Sequence, residues 1–290
     1  IPNPMAGLLG TTSLTGATVA RSQILLPFPQ FSAVNSERYD GGTRYNGLEI
    51  RANRRFRSGF TLNMSYGRSR LMERLSLLNP TDVSPENRVS GEDRPNRFQI
   101  NGIWELPFGK GRKFGSGWNR LVDGVFGGWQ LTGVYVIQSG RPIGVGNLYF
   151  TGDPNKVVAN YDKNNIDKPI FDLSGFYFQD AAVQTNGVVD PAKQRADQRI
   201  SLSSNIRTLP SMFPNFRGDR VRGIDASLIK NLHITEHLRA QIRGEAINAL
   251  NQVQFNNPGV SPTSASFGLI SASSQLNPPR TIQLGFKLAF

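Results

Sequence analysis

Few residues in this sequence have the types and spacing that metal binding or catalysis requires. His233 and His237 stand four residues apart, a spacing that binds a metal ion when it falls on one face of a helix. They flank a predicted hairpin turn, which favours solvated turn side chains over metal ligands. A group of oxygen-bearing side chains suited to calcium consists of Asp162, Asn164, Asn165 and Asp167. This group lacks the glycine and the distal glutamate of a calcium loop, so the sequence predicts no metal site.

The motifs for phosphate binding and nucleophilic catalysis are also incomplete. Gly109-Lys110-Gly111 lacks the spacing of a Walker loop, and the segment from Gly140 to Gly144 is predicted to be a turn at a strand end. No serine has the glycine neighbours of a nucleophile elbow. The sequence therefore predicts no catalytic residue and no bound cofactor, and the chain is not expected to be an enzyme.

The composition narrows the class of protein. The chain contains no cysteine, which excludes disulfides and thiolate metal sites. No window holds the ~18 consecutive apolar residues of a membrane helix, so a helical membrane protein is excluded but a barrel is not. The net charge of +12 fits nucleic-acid binding, contact with an anionic membrane surface, or a charged barrel lumen. Because many charges alternate within strand-like segments, the lumen and rim of a barrel are favoured.

Alternation of apolar and polar residues predicts an all-β fold. The pattern indicates an antiparallel up-and-down meander of about seven long strands, part of a large transmembrane β-barrel with long extracellular loops. A further strand at Ala17–Leu26 and a short amphipathic helix at Trp118–Phe126 are candidate additions. Residues 1–41 are predicted to be an extracellular loop segment. The predicted barrel strands within 42–290 are 42–56, 60–70, 96–106, 129–139, 222–232, 238–249 and 280–290, with long loops at 71–95, 140–219 and 250–279.

The last strand alternates over its full length. Its polar or small residues lie on one face and its apolar residues on the other. By itself this pattern fits the edge strand of a soluble sandwich as well as the closing strand of a transmembrane barrel. In a barrel, a terminal aromatic strand is expected to act as the signal for membrane assembly. The apolar face of this strand consists of Ile282, Leu284, Phe286, Leu288 and Phe290.

Loop lengths and aromatic positions favour the barrel. In chain order the connectors are short, long, medium, very long, short and long, which resembles outer-membrane barrels with short periplasmic turns and longer extracellular loops. Aromatic residues stand near the strand ends, whereas the core of a sandwich would collect them in mid-strand. The predicted aromatic girdle consists of Phe56, Phe60, Trp104 and Trp129 at the periplasmic ends and of Tyr66 and Phe98 near the opposite ends.

The polar strand faces carry charged side chains for which two roles stay open. They line a path for a polar solute, or they form a structural ladder of salt bridges, which the polar lumen of a barrel favours. Arg54 and Lys230 interrupt the apolar face near the predicted periplasmic ends, where their side chains are expected to extend toward water. The predicted lumen-facing polar residues are Glu49, Arg51, Arg239, Arg243, Glu245 and Lys287.

Aromatic side chains also recur in the long loop 140–219. They contact a ligand or a neighbouring protein, or they pack the loop against itself, and the sequence does not choose between these roles. The residues concerned are Tyr149, Phe150, Tyr161, Phe171, Phe176, Tyr177 and Phe178.

Several segments have a specific order and spacing: Asp93–Phe98, Asn101–Gly111, Gly127–Leu131, Ser139–Pro142, Arg243–Asn251 and Pro279–Lys287. Together they resemble TonB-dependent outer membrane receptors of the Oar-like, or carboxypeptidase-regulatory-domain, type found in acidobacteria. The resemblance implies a 22-stranded barrel with a plug in its lumen and uptake driven from the inner membrane. Because the plug and the energy-coupling box are absent from this chain, it is not expected to transport a ligand alone.

Three functions are compatible with these observations. The leading expectation is the barrel portion of a TonB-dependent receptor for an unidentified ligand, located in the outer membrane of a Gram-negative bacterium. Its expected partners are outer-membrane lipid and lipopolysaccharide, the missing barrel and plug, and the inner-membrane energy-coupling protein, but no nucleic acid. The alternatives are a structural or adhesive barrel fragment assembled with other chains and, less favoured, a basic soluble β protein that binds nucleic acid. Since no export signal precedes the strands, either a signal was removed or the chain is the later part of a longer protein.

Overall fold

The computed structural model describes most of the chain, in two compact units, Ile1–Gly41 and Gly42–Phe290. Neither of the two helices in the described part has the length or the apolar character of a membrane span. The described residues are 1–8, 14–31, 37–57, 59–150, 152–162, 164–173, 175–177, 206–235, 238–261, 264, 266–271, 273 and 275–290.

Strands dominate the described residues, and both helices are short. In chain order the elements are α1 (Arg21–Ile24), β1 (Gly42–Arg57), β2 (Phe60–Arg74), β3 (Arg88–Val89), β4 (Asn96–Glu105), α2 (Arg120–Phe126), β5 (Trp129–Gln138), β6 (Pro142–Gly144), β7 (Tyr149–Phe150), β8 (Phe176–Tyr177), β9 (Met212–Arg217), β10 (Val221–His233), β11 (Arg239–Ile247) and β12 (Thr281–Ala289).

The strands confirm the predicted all-β meander. Seven of them form an antiparallel sheet in the order β1-β2-β4-β5-β10-β11-β12, and β3 pairs with β2 at the side. Each long strand lies beside the next long strand of the chain, which is the up-and-down topology of outer-membrane barrels. Within the described residues, β1 and β12 are the free edges of this open sheet.

The register of the strands turns the alternation within each strand into two faces of the sheet. Directly paired residues of antiparallel strands share a face. Met64 pairs with Ile100 and Ile100 pairs with Tyr135, so apolar side chains form a row across three strands. In the neighbouring polar row, Nδ2 of Asn63 donates to Oδ1 of Asn101 over 3.0 Å. We call the face with Met64 the outward face and the face with Asn63 the inward face.

One end of the sheet, the short-turn end, carries the compact connections. Gly59 has φ of +80° in the turn between β1 and β2, a conformation that glycine adopts without steric cost. The connection between β4 and β5 contains α2, which lies within the predicted helix Trp118–Phe126. Asn119 caps this helix by accepting the Val122 N–H over 2.8 Å.

The opposite end, the long-loop end, carries three long connections that are folded. The sequence predicts no strand in 140–219, yet this stretch contains β6, β7, β8 and β9. β6 pairs with β9, and β7 pairs with β8. β6, β7 and β8 have two or three residues, which is too short for an alternating pattern to be recognised. β9 has six residues, but Pro214 within it lowers the case for a strand in the sequence. β2 also continues to Arg74, beyond the predicted end at residue 70.

The unit Ile1–Gly41 is held by local hydrogen bonds. Nδ2 of Asn3 donates to the carbonyl oxygen of Leu14 over 2.6 Å. The strand considered at Ala17–Leu26 is wrong, because this segment contains helix α1. The amide of Gln23 donates to two carbonyl groups that follow it in the chain, at 3.1 and 2.8 Å, and so stabilises a turn in place of an extended strand.

Candidate functional site: a loop cap above a polar sheet face

The middle and the last long loop fold together around phenylalanine side chains. Phe213 is fully buried, and the ring of Phe171 packs against those of Phe216 and Phe267 with centroids 4.8 and 5.5 Å apart. Phe267 belongs to the last long loop and Phe171 to the middle one, so the core joins segments that are distant in sequence. We call this body the loop cap; it consists of the described parts of 75–95, 139–220 and 248–280.

A buried ion pair ties the first long loop to the middle one. Nη2 of Arg217 donates to Oδ2 of Asp93 over 2.6 Å, and the other oxygen of Asp93 accepts the Leu71 N–H over 2.7 Å. Nη1 of Arg217 also donates to the carbonyl oxygen of Gly140 over 3.3 Å. Because these contacts satisfy a buried carboxylate on several sides, they fix the position of the cap on the ends of β2 and β5.

Two further polar contacts join the same loops. Glu86 accepts the backbone N–H of Ser211 over 2.8 Å and also hydrogen-bonds the hydroxyl of Ser211. Oδ1 of Asn79 accepts the Arg207 N–H over 2.7 Å, while its Nδ2 donates to the Arg207 carbonyl over 2.9 Å. The two loops are thus joined by hydrogen bonds between side chains and backbone groups. These bonds satisfy backbone groups that a regular sheet would pair with each other.

Tyr161 places a hydroxyl group without a hydrogen-bonding partner among the described residues inside the cap. Burial raises the pKa of Tyr161, and the nearby carboxylate of Asp219 raises it further, so the phenol stays protonated. The side chain borders an open recess of about 440 Å³ whose wall includes Arg217 and Arg220. Tyr161 is therefore a buried, neutral phenol behind the wall of this recess.

A larger recess of about 710 Å³ lies where the inward face meets the cap. Glu49 and Arg51 line it from β1, and Nε of Arg51 donates to Oε1 of Glu49 over 2.7 Å. Asp93 and Arg94 line it from the loop cap. Both charge signs and several amide groups therefore face one concave surface, which suits a polar ligand that offers hydrogen-bond donors and acceptors.

The predicted lumen-facing residues are distributed over the two edge regions of the sheet. Glu49 and Arg51 form an ion pair on β1. At the other side of the sheet, on β11, Nη1 of Arg243 lies 3.3 Å from Oε1 of Glu245. Gln241 accepts from Arg243 over 3.2 Å. In the register of β11 with β12, Lys287 pairs with Gln241 and Arg239 with Ala289, so these two residues lie on the same inward face. Their role in lining a lumen stays a prediction.

The predicted aromatic girdle is arranged in two levels along the strands. Phe60 pairs directly with Trp104 near the short-turn end, and Tyr66 pairs directly with Phe98 nearer the long-loop end. Nε1 of Trp129, also at the short-turn end, donates to a carbonyl oxygen of α2 over 2.9 Å. The hydroxyl of Tyr66 donates to Asn96 over 2.9 Å. The side chain of Phe56 lies outside the described residues, and the membrane role of the others stays a prediction.

The terminal strand presents its apolar side chains on the outward face. Ile282, Phe286 and Leu288 pair with Ala246, Ile242 and Ala240 of β11, in that order. Leu284 is 82% exposed and Phe290 is 99% exposed. Apolar side chains this exposed on one continuous face are suited to a hydrocarbon environment.

Lys230 does not extend into water as its position near the strand end suggested. Its side chain is buried, and its ammonium group donates to the carbonyl oxygen of Gly127 and lies 5.3 Å from the centroid of the Trp129 ring. The connection containing α2 therefore folds over the outward side of β10 and covers the charge. The guanidinium of Arg54 lies 5.6 Å from the ring centroid of Phe60.

Most of the described loop aromatics pack within the cap. Phe150 lies 4.4 Å from Phe176, centroid to centroid, and Phe171 belongs to the same core. The side chains of Tyr149 and Tyr177, and the residues Phe178 and His237, lie outside the described residues. The sequence did not predict that Asp93 and Arg217 pair, because 124 residues separate them. The only signal was that Asp93 opens Asp93–Phe98, the first of the segments that carry the family resemblance.

Comparison with known proteins identifies one matching family. A family model described as an outer membrane beta barrel domain matches residues 2–283. The outer membrane transporter YddB from Escherichia coli is structurally similar, with 13% sequence identity and a TM-score of 0.38 over 86% of this chain and 26% of that chain. The chain therefore spans about a quarter of the length of that transporter. No curated protein matches it.

Proposed function

The chain belongs to the outer membrane beta barrel domain family, and from this premise we propose that it is the ligand-binding barrel portion of a TonB-dependent receptor. Membership of the family places the protein in the outer membrane, so the soluble alternative is set aside. In such barrels the long loops face the outside of the cell and the short turns face the periplasm. The loop cap is then extracellular, and the outward face of the sheet contacts lipid.

The observation that carries the proposal is the junction of the loop cap with the inward face. The cap has its own hydrophobic core, around Phe213, and is fixed to the strands through the buried carboxylate of Asp93. Beneath it lies the recess of about 710 Å³ with Glu49 and Arg51 in its wall. A preorganised polar cavity at the extracellular mouth of a barrel is suited to capture a ligand before it passes inward.

In this proposal the residues bind and do not catalyse. The acidic and basic side chains of the recess orient a polar ligand through charge-assisted hydrogen bonds. The plug and the energy-coupling box are supplied by other parts of the protein, and the inner-membrane energy-coupling protein contacts the receptor through them. The ladder of side chains around Arg243 then supports the wall of the lumen.

The test uses the complete receptor in planar bilayers, with potassium chloride as the permeating salt. We expect the complete protein to be closed and a variant without its plug to conduct ions. The periplasmic domain of the energy-coupling protein is expected to bind the complete protein in a direct binding assay. If the complete protein conducts ions freely, or does not bind this domain, the result contradicts the proposed receptor function. It then supports the alternative of a structural barrel assembled from several chains.

A further inference from the structure

Four arginines occupy the outward face of β1 and β2 at the long-loop end. Paired residues share a face, and Leu48, which pairs with Arg68, belongs to the apolar series of β1. The period of two then places the next arginines of β2 and the arginine at the start of β1 on the same face. We call this group the arginine patch; it consists of Arg44, Arg68, Arg70 and Arg74.

The register brings the members of the patch close together. Arg44 pairs with Met72, so Arg70 and Arg74 are its diagonal neighbours, about 7–8 Å away between backbones. Nε of Arg70 lies 3.4 Å from the sulfur of Met72, which places both side chains on one face. Arg44, Met72 and Arg74 also border an open recess of about 250 Å³. Several guanidinium groups can therefore reach one ligand.

The positive charge of the patch is not neutralised within the described part of the chain. All four arginines are exposed, and none forms an ion pair with another described residue. Glu73, the acidic residue between them in sequence, is buried and pairs with Arg88 at 2.9 Å. Four adjacent cations without a counter-ion among the described residues indicate an external anion.

The position of the patch along the strands, next to their apolar outward-facing residues, indicates the kind of anion. A strand crosses a bilayer in about 9–11 residues, which matches the stretch from Phe60 to Arg68 and Arg70. Tyr66, on the outward face, lies one side-chain repeat below Arg68, or roughly 7 Å along the strand. The arginines therefore begin where acyl chains end and headgroups start, on the extracellular side of the membrane.

We propose that the arginine patch binds the phosphate groups of lipid A, the glycolipid anchor of lipopolysaccharide, in the outer leaflet. Guanidinium groups form paired, charge-assisted hydrogen bonds with phosphate oxygens. The two phosphates of lipid A match a group of several arginines better than the single phosphate of a phospholipid does. Directly below, Ile50 and Tyr66, which pair with each other, contact its acyl chains. This inference requires the outer membrane location but not the transport function, so the two can fail separately.

The experiment measures binding of bisphosphorylated lipid A to the complete protein in detergent by native mass spectrometry. The R68Q/R70Q and R44Q/R74Q variants are expected to bind at least about ten-fold more weakly, because each removes charged hydrogen bonds to phosphate. R68K/R70K keeps the charge and is expected to bind with intermediate affinity. The matched control is R97Q, because Arg97 pairs with Gly67 at the same height but lies on the inward face; its affinity is expected to be unchanged.

Two competitors identify the source of the phosphate. Phosphatidylglycerol and inorganic phosphate are expected to displace lipid A poorly. Equal displacement by phosphatidylglycerol overturns the assignment to lipid A. The proposal is also overturned if R68Q/R70Q binds like the unchanged protein, or if R97Q loses as much affinity as the patch variants.

Discussion

The carboxylate of Asp93 and the guanidinium of Arg217 lie 2.6 Å apart, although 124 residues separate them in the chain. Asp93 is 1% exposed and Arg217 is 19% exposed, so the pair is largely shielded from water. It joins the loop before β4 to the end of β9. This long-range contact between charged side chains is thus one of those that hold the loop cap over the sheet.

Replacing Asp93 by asparagine is expected to loosen the cap while leaving the barrel strands intact. Removing one partner of a buried pair leaves an uncompensated charge and costs about 3–5 kcal/mol; the partial exposure of Arg217 favours the lower value. Hydrogen exchange of the backbone amides in β9 should become faster. The control is E92Q, which breaks the exposed pair with Arg141 and should cost roughly 0–1 kcal/mol. Equal exchange rates in both variants would argue against a role of the Asp93–Arg217 pair in holding the loop cap.

The hydrophobic core of the cap makes a second prediction. Phe213→Ala removes a fully buried ring and is expected to destabilise the cap by about 3–5 kcal/mol. In limited proteolysis of the protein in intact membranes, the long loops should then be cleaved faster. Phe114→Ala is the control, since that ring is 48% exposed at the short-turn end and its loss should not change cleavage of the cap.

The assignment of the two faces of β12 is tested by moving one charge across the strand. Leu284→Arg places a cation on the outward face at mid-strand and is expected to cost about 2–4 kcal/mol in the membrane. Gln283→Arg, one residue away on the inward face, should be tolerated. The two variants are compared by their unfolding free energies in lipid vesicles. A larger loss for Q283R than for L284R would reverse the assignment.

Phe290, which follows β12 on its outward face, is expected to serve membrane assembly. Phe290→Ala should reduce the amount of folded protein in the outer membrane, measured by the heat-dependent shift in gel mobility. Phe290 is fully exposed at the strand end, so the loss is not expected to arise from packing inside the protein. Phe290→Trp keeps an aromatic group and should restore assembly; normal assembly of the alanine variant would contradict this role.

The strands and their order could be predicted from the sequence because alternation with a period of two is a local property. Thr281–Ala289 alone shows which side chains share a face, since successive side chains of a strand point to opposite sides. The up-and-down order followed from the short and long connectors. The two-residue strands of the cap could not be predicted in this way, because their pairing depends on contacts between distant loops.

The tertiary structure alone decided what surrounds the side chains that break the pattern. The sequence placed Lys230 correctly at a strand end, but the carbonyl of Gly127 and the ring of Trp129 that cover it come from another connection. The same holds for Asp93, whose partner Arg217 is far away in the chain. Local periodicity determines the face on which a residue lies, whereas burial and charge pairing depend on which distant segments fold against that face.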